Sequence, residues 1–312
     1  MSQYNPKVSI IIPVYNGANF LREAIETALA QTYKNIEIIV INDGSNDNGA
    51  TEKIAQEYSN QIKYYLKENG GVSSALNYGI KMMDGDYFAW LSHDDLYTPE
   101  RIEHAVDVLK SNDSIKEELI VYSDGVFVKE DRSVIKSFKK YFEKETIYSG
   151  VEAAVVSAQK GTLYGCSLLI PRSAFQKVGL FDENLRYSQD SLMWYLLFMN
   201  GYHICLCPHK DVLARLHRNQ VTNTRKDLFV HDSLIIADIL APLFEKSSKE
   251  LLYTYIRRLT RLNCDETVMF LIDYTKHRKV LNKIQISTLN MERIYGKVIY
   301  RRKTFVKKII LR

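Results

Sequence analysis

Four short apolar runs, Val8–Pro13, Ile36–Ile41, Ile62–Leu66 and Tyr87–Leu91, are separated by stretches of helical periodicity. Runs of this length rich in Val and Ile read as buried strands. Between the first two, Phe20, Leu21, Ile25, Ala28 and Leu29 recur at helical spacing. A polar helix follows at about Asn48–Tyr58, and Ser73 can cap a helix that reaches Met82 or Met83. An order of β-α-β-α-β-α-β leaves few architectures: a mostly parallel, Rossmann-like α/β sheet with right-handed crossovers and helices on its faces.

The second half is less regular. Pro99–Leu109 predicts a helix, and Leu119–Ser123 and Gly125–Val128 predict two strands joined by a tight turn. Lys129–Tyr148 is charged and mixed, which predicts a mobile excursion. A strand over Ser167–Ile170, a short helix over Arg172–Val178 and an apolar helix over Ser191–Met199 come next. A strand over Val212–Leu216 leads to His217, and beyond Asp227 helices dominate. The division expected is an α/β domain over 1–225 and a helical region over 226–312.

In a parallel sheet the carboxyl ends of the strands share one rim, where ligands bind. Four polar strand ends meet there: Pro13-Val14-Tyr15-Asn16, Asn42-Asp43-Gly44-Ser45, Asn69-Gly70-Gly71 and Ser92-His93-Asp94-Asp95. Each offers something that a nucleotide needs. Asp43 can accept from a base imino N–H, and Tyr15 offers a flat face. Gly70 and Gly71 let the backbone come close. Asp94 and Asp95 are hard oxygen donors for Mg²⁺ or Mn²⁺, and such a cation suits a diphosphate. Neither G-x-G-x-x-G nor G-x-x-x-x-G-K-[ST] occurs, which disfavours a dinucleotide-dependent dehydrogenase and a P-loop NTPase.

These segments resemble family 2 glycosyltransferases of the GT-A fold. The matching residues are Val8–Asn16, Ile39–Ser45, Asn69–Asn77, Gly85-Asp86-Tyr87 and Leu91–Asp95, with looser matches at Gly179–Glu183, Gln189-Asp190 and His217–Gln220. The resemblance spans roughly residues 6–225 and implies an inverting transfer of a sugar from a nucleotide diphosphate donor. It implies a nucleotide-sugar site formed by Pro13, Tyr15, Asn16, Asp43, Gly71, Asn77, Ser92, His93 and Asp94. Asp94 takes the last place of a D-x-D metal motif, and His217 lies near the diphosphate or metal, giving Asp94, Asp95 and His217 as expected ligands. Asp190 matches the acid of an E-D pair and is the expected general base. A single base suffices for inversion by one displacement, because the acceptor hydroxyl becomes acidic only as the new bond forms. Three positions depart from the family pattern: Ser92 stands in place of Asp, Leu76 in place of Arg, and Gln189 in place of Glu. UDP is the expected donor nucleotide, a glycan or lipid-linked hydroxyl the expected acceptor, and bacterial surface polysaccharide synthesis the expected setting. The alternatives are a non-catalytic nucleotide-sugar binder or assembly protein, and a nucleotidyltransferase on a related fold. The latter needs a basic phosphate loop after the first strand, where Asn16-Gly17-Ala18-Asn19 carries no charge.

The chain has 312 residues and a formal charge of +5. No leader-like opening and no run of about 18 apolar residues occurs, so a cytoplasmic protein without a membrane span is expected. The four cysteines form no C-x-x-C pair, which fits a reducing compartment. His203, Cys205, Cys207 and His209 alternate like a strand, and side chains spread over roughly 20 Å cannot converge on one zinc ion. Nothing in the charge pattern calls for nucleic acid. Arg293–Arg312 carries eight basic and no acidic residues; Tyr295, Val298, Ile299, Phe305, Val306, Ile309 and Ile310 fall on one arc and the basic residues, except Arg302, opposite. That pattern predicts an amphipathic helix that lies on an anionic membrane, a peripheral location at the inner face of the cell membrane, with a terminal helix packed on the domain and its basic face solvated as the alternative. No heptad seam specifies an oligomer.

Overall fold

The computed structural model describes residues 4–217 and 226–294. Strands β1 (Val8–Val14), β2 (Ile36–Asn42), β3 (Lys63–Leu66) and β4 (Tyr87–Trp90) form the parallel half of one sheet, in the order β3-β2-β1-β4. Every residue of β1 is buried, as befits a central strand covered on both faces. Pro13 does not end this strand; it pairs in register with Ile41, and β1 runs on through Val14. The helices between these strands bury one stripe each. On α1 (Leu21–Leu29) the stripe is Leu21, Ala24, Ile25 and Ala28. The polar α2 (Ala50–Gln56) buries Thr51 and Ala55, and α3 (Val72–Met82) buries Ala75, Leu76 and Ile80 among others.

The sheet continues from β4 through β9 (Leu168–Pro171), β6 (Leu119–Val128) and β10 (His203–Arg215) to the short β5 (Leu96–Tyr97). Strand β7 (Val134–Ser137) pairs with β6, and β8 (Ile147–Tyr148) pairs with β10. The long β6 and β10 are parallel neighbours, each antiparallel to the short strands that pair with it. Strands β1 to β4, β6 and β10 therefore run one way, which keeps a single carboxyl-end rim across the sheet.

Three expectations change here. The Asp124-Gly125 pair is not a turn: β6 is one strand of ten residues. A Cβ at Gly125 would stand 2.3 Å from the Val212 carbonyl oxygen, so the glycine marks the close approach of β10. The two strand signals around Cys205 and Val212 likewise belong to one strand, which shifts register between Cys207 and Val212 where Pro208 interrupts it. Lys129–Tyr148 is no mobile excursion; it supplies β7 and β8 and seats Phe138 and Phe142 in the core, with Phe142 edge-on to Tyr122. Its charged exterior hides these anchors from a composition argument.

Helices α4 (Arg101–Ser111), α5 (Gly150–Lys160), α6 (Arg172–Val178) and α7 (Gln189–Met199) complete the α/β part. A capping box between Ser149 and Glu152 starts α5. Helices α8 (Lys226–Ser247), α9 (Lys249–Arg261) and α10 (Asp265–His277) follow, and the residues 283–294 are also helical. Tyr195 of α7, Phe244 of α8 and Tyr255 of α9 meet edge to face at 5.2 to 5.6 Å, so the helical region and the α/β part share one hydrophobic cluster. The expected membrane helix lies, beyond Ile294, outside the described residues. Among the described residues no helix is long and apolar enough to cross a membrane.

Candidate active site

The register of the parallel half aligns the strand ends. Val14 pairs with Asn42, Asn42 with Leu66, and Leu91 donates to the Ile11 carbonyl, so the segments that follow emerge on one rim. Tyr15 is the first exposed ring beyond β1, at 44% exposure, whereas Pro13 is buried within the strand. Asn16 adopts a left-handed backbone (φ 50°), and its side chain exchanges two hydrogen bonds with Asn46, joining the β1 and β2 ends.

Asp43 is buried just past β2 and organises the next loop. One carboxylate oxygen accepts from Lys67 Nζ (2.7 Å) and the Gly70 amide (3.0 Å), and the other accepts from the Gly71 amide (2.7 Å). The sequence points Asp43 at a base; in the fold it also clamps the glycine loop that would lie beneath one. Lys67 and Arg186 were not singled out by the sequence. Arg186 reaches the same loop from the α6–α7 connection, donating to the Gly70 carbonyl at 3.2 Å. Asn77 is turned away from the rim. Its amide donates to the Phe181 carbonyl and the Glu183 carboxylate and accepts from the Phe181 amide, tying α3 to the segment before α7.

At the end of β4 the four polar residues separate. Asp94 Oδ2 lies 2.9 Å from His217 Nε2, which brings the ends of β4 and β10 together. Asp95, expected as a metal ligand beside them, turns into the core. One of its oxygens accepts from the Tyr164 hydroxyl (2.7 Å) and the Cys166 thiol (3.3 Å), the other from the Arg215 amide (2.9 Å). Asp94 lies in a turn closed by the Asp95 amide, which donates to the Ser92 carbonyl at 3.1 Å, and the two carboxylates leave it toward different partners. Burial and the Asp94 charge push the Asp95 carboxyl up to about 8, against those donors. Ser92 hydrogen-bonds with Cys166 through both its amide and its hydroxyl. His93 is held close over Gly17, and burial lowers its pKa.

Among the described residues no three His, Cys, Asp or Glu side chains gather into a cage for a metal ion. One carboxylate beside one imidazole fits a different kind of site. Mg²⁺ is commonly bound by one or two carboxylates with substrate phosphates filling the remaining positions. Asp94 supplies such a carboxylate, with the His217 imidazole beside it; Asp95, turned into the core, does not.

Asp190 lies in the first turn of α7, which starts at Gln189, earlier than the apolar periodicity predicts. Burial pushes its carboxyl up to about 6, opposed by the hydrogen bond from the Ser191 amide (2.7 Å) and by the charge of Arg258. A carboxylate with that pKa is suited to accept a proton near neutral pH. Gln189 is buried beside it, and its Oε1 has no hydrogen-bond partner among the described residues. A neutral amide costs less at such a position than the carboxylate of the family pattern. The residues 162–166 link the two acidic positions: Tyr164 and Cys166 hold Asp95, while Thr162 meets the Ser191 hydroxyl at 2.6 Å.

Comparison with known proteins bears on the family and the fold. Residues 9–179 match the family described as glycosyl transferase family 2. An uncharacterized glycosyltransferase of Rickettsia typhi is 48% identical over 224 residues, covering 71% of this chain and 67% of that protein. The match takes in only 32%, 31% and 28% of three further Rickettsia relatives. The minor teichoic acid biosynthesis protein GgaB of Bacillus subtilis is 34% identical over 80% of this chain and 28% of its own length. Among solved structures, residues 1–349 of TarS from S. aureus in complex with UDP-GlcNAc superimpose with a TM-score of 0.63 at 17% identity, covering 95% of this chain and 92% of that one. That likeness is one of fold.

Proposed function

The chain belongs to glycosyl transferase family 2, and on that premise we propose that it moves a sugar, with inversion, from a UDP-sugar to a hydroxyl of a glycan or lipid-linked acceptor. The observation that supports this reading is that residues 162–166 connect the turn of Asp94 and Asp95 to the turn of Asp190: Tyr164 and Cys166 hold Asp95, and Thr162 meets Ser191, the neighbour of Asp190. In this scheme Asp190 takes the proton of the acceptor hydroxyl as that oxygen bonds to the anomeric carbon. The bond from the anomeric carbon to the diphosphate breaks in the same displacement, and the nucleoside diphosphate leaves. Asp94, with His217 beside it, would hold Mg²⁺ or Mn²⁺, and such a cation would supply Lewis-acid compensation for the charge that builds on the leaving diphosphate. Tyr15 and the Asp43-braced glycine loop receive the base and ribose.

The role of GgaB in teichoic acid synthesis supports a surface polysaccharide as the product, and the UDP-GlcNAc bound to TarS supports a uridine nucleotide. The basic amphipathic segment Arg293–Arg312 supports work at an anionic membrane surface, where a lipid-linked acceptor would be found. A thermal-shift panel of UDP, GDP, dTDP and CDP, with and without Mn²⁺, tests the donor site, because a ligand bound only by the native state raises its stability. A Mn²⁺-dependent shift with UDP is expected. No shift with any of the four nucleotides would overturn the proposal.

A further inference from the structure

The Asp190 turn is held in part by residues of the helical region, beyond the residues 9–179 that match the family. The first amides of a helix have no acceptor within it. Ser188, at the start of α7, caps nothing with its own side chain. Instead the carboxylate of Asp232, buried on α8, accepts from the Tyr187 amide and the Ser188 amide, each at 2.9 Å. A negative charge at a helix N-terminus is favourable, and burial strengthens the interaction. On α9, Arg258 donates to the Ser157 carbonyl at the end of α5 (2.8 Å) and to the Thr162 hydroxyl (3.2 Å). Thr162 meets the Ser191 hydroxyl, and the Ser191 amide donates to Asp190. A chain of polar contacts thus runs from the helical region to the proposed base.

We propose that Asp232 and Arg258 are positioning residues for Asp190, so that α8 and α9 are part of the catalytic unit rather than an appended support. The inference rests on the proposed role of Asp190 as base. Asp232 fixes the backbone from which Asp190 projects. Arg258 fixes the Thr162–Ser191 side of the same turn and supplies a positive charge that favours the ionised base. Among the described residues, the other titratable groups at this turn are the Tyr187 phenol before it and His231, whose Nδ1 lies 3.6 Å from Asp232. Tyr195 of α7, Tyr141 and Tyr255 of α9 share the field of Arg258. A tyrosine phenol carries no positive charge, so none of the three can replace it.

The full-length chain tests this with two variants and three readouts. Asp232→Asn keeps the size and removes the charge. Hydrogen exchange should accelerate in the peptide holding Tyr187 and Ser188, and kcat with UDP-GlcNAc should fall about tenfold at unchanged donor KM, the pattern of an interaction needed only in the transition state. In Arg258→Gln the Asp190 carboxyl resonance, assigned by its loss in Asp190→Asn, should titrate at higher pH than in the wild type. Arg258→Lys, which keeps the charge, should restore most of that difference. A purely structural arginine would lower thermal stability in both variants and leave the Asp190 titration where it was. An unmoved titration in Arg258→Gln together with unchanged exchange in Asp232→Asn would overturn the proposal. A wild-type protein that consumes no UDP-GlcNAc would count against the donor assignment, and the exchange and titration results would still decide the positioning claim.

Discussion

The Asp94 carboxylate meets the His217 imidazole at 2.9 Å across 123 residues of sequence, while its neighbour Asp95 faces the other way and holds Tyr164, Cys166 and the Arg215 amide. Two adjacent acids therefore do different work, one toward the rim and one toward the core. The same contact pins the end of β10 to the end of β4, which fixes the width of the rim between them.

Exchange of each acid for its amide separates these roles. Asp94→Asn should abolish the Mn²⁺ dependence of the UDP thermal shift with little loss of stability. Asp95→Asn should leave that dependence in place and cost about 1–3 kcal/mol in urea unfolding, since buried donors lose their acceptor. The raised Asp95 carboxyl adds a pH signature. The folded state keeps a proton that the unfolded chain releases near its ordinary carboxylate pKa, so this group's contribution is full below about pH 4 and declines as pH rises towards about 8. Asp95→Asn should flatten that part of the stability profile.

Gly17→Ala tests how closely the rim is built. A Cβ there would come within 2.4 Å of the His93 ring and 2.5 Å of Val14. Overpacking of this kind costs about 1–3 kcal/mol. Because His93 precedes Asp94, the substitution should also weaken UDP binding in the presence of Mn²⁺, measured by titration calorimetry.

The acidic limb of kcat/KM should report Asp190. With its carboxyl raised to about 6 by burial, the base is protonated and inactive below that pH, and the rate should fall about tenfold for each further pH unit. Above it the limb should be flat until another group titrates. A limb near pH 4 would mean that the base is solvated.

Local patterns carried the parallel half of the sheet, because a buried parallel strand is a continuous apolar run and its polar end is visible beside it. Val8–Val14 with Tyr15 and Asn16, and Ile36–Asn42 with Asp43, are of this kind. The mixed half was less legible. Gly125 signals a turn by type but is needed for the contact with Val212, and Pro208 divides the signal of β10 without dividing the strand. In the site, residue types were readable and directions were not. Nothing in Asp94-Asp95 says which carboxylate faces out, and Asn77, placed by its motif near a nucleotide, is spent on Phe181 and Glu183. Asp232 and Arg258 act on residues 44 and 96 positions away, and no periodicity or spacing marks such partners.

The most direct test of the account is Asp190→Asn, assayed for both UDP-GlcNAc turnover and UDP affinity in Mn²⁺. Asn keeps the shape and the hydrogen bond from the Ser191 amide but cannot take a proton at neutral pH. Turnover is expected to fall by about 10²–10⁴-fold, the usual contribution of a general base, with UDP affinity unchanged. Wild-type turnover in Asp190→Asn would contradict the account, because the acceptor proton would then leave through another group.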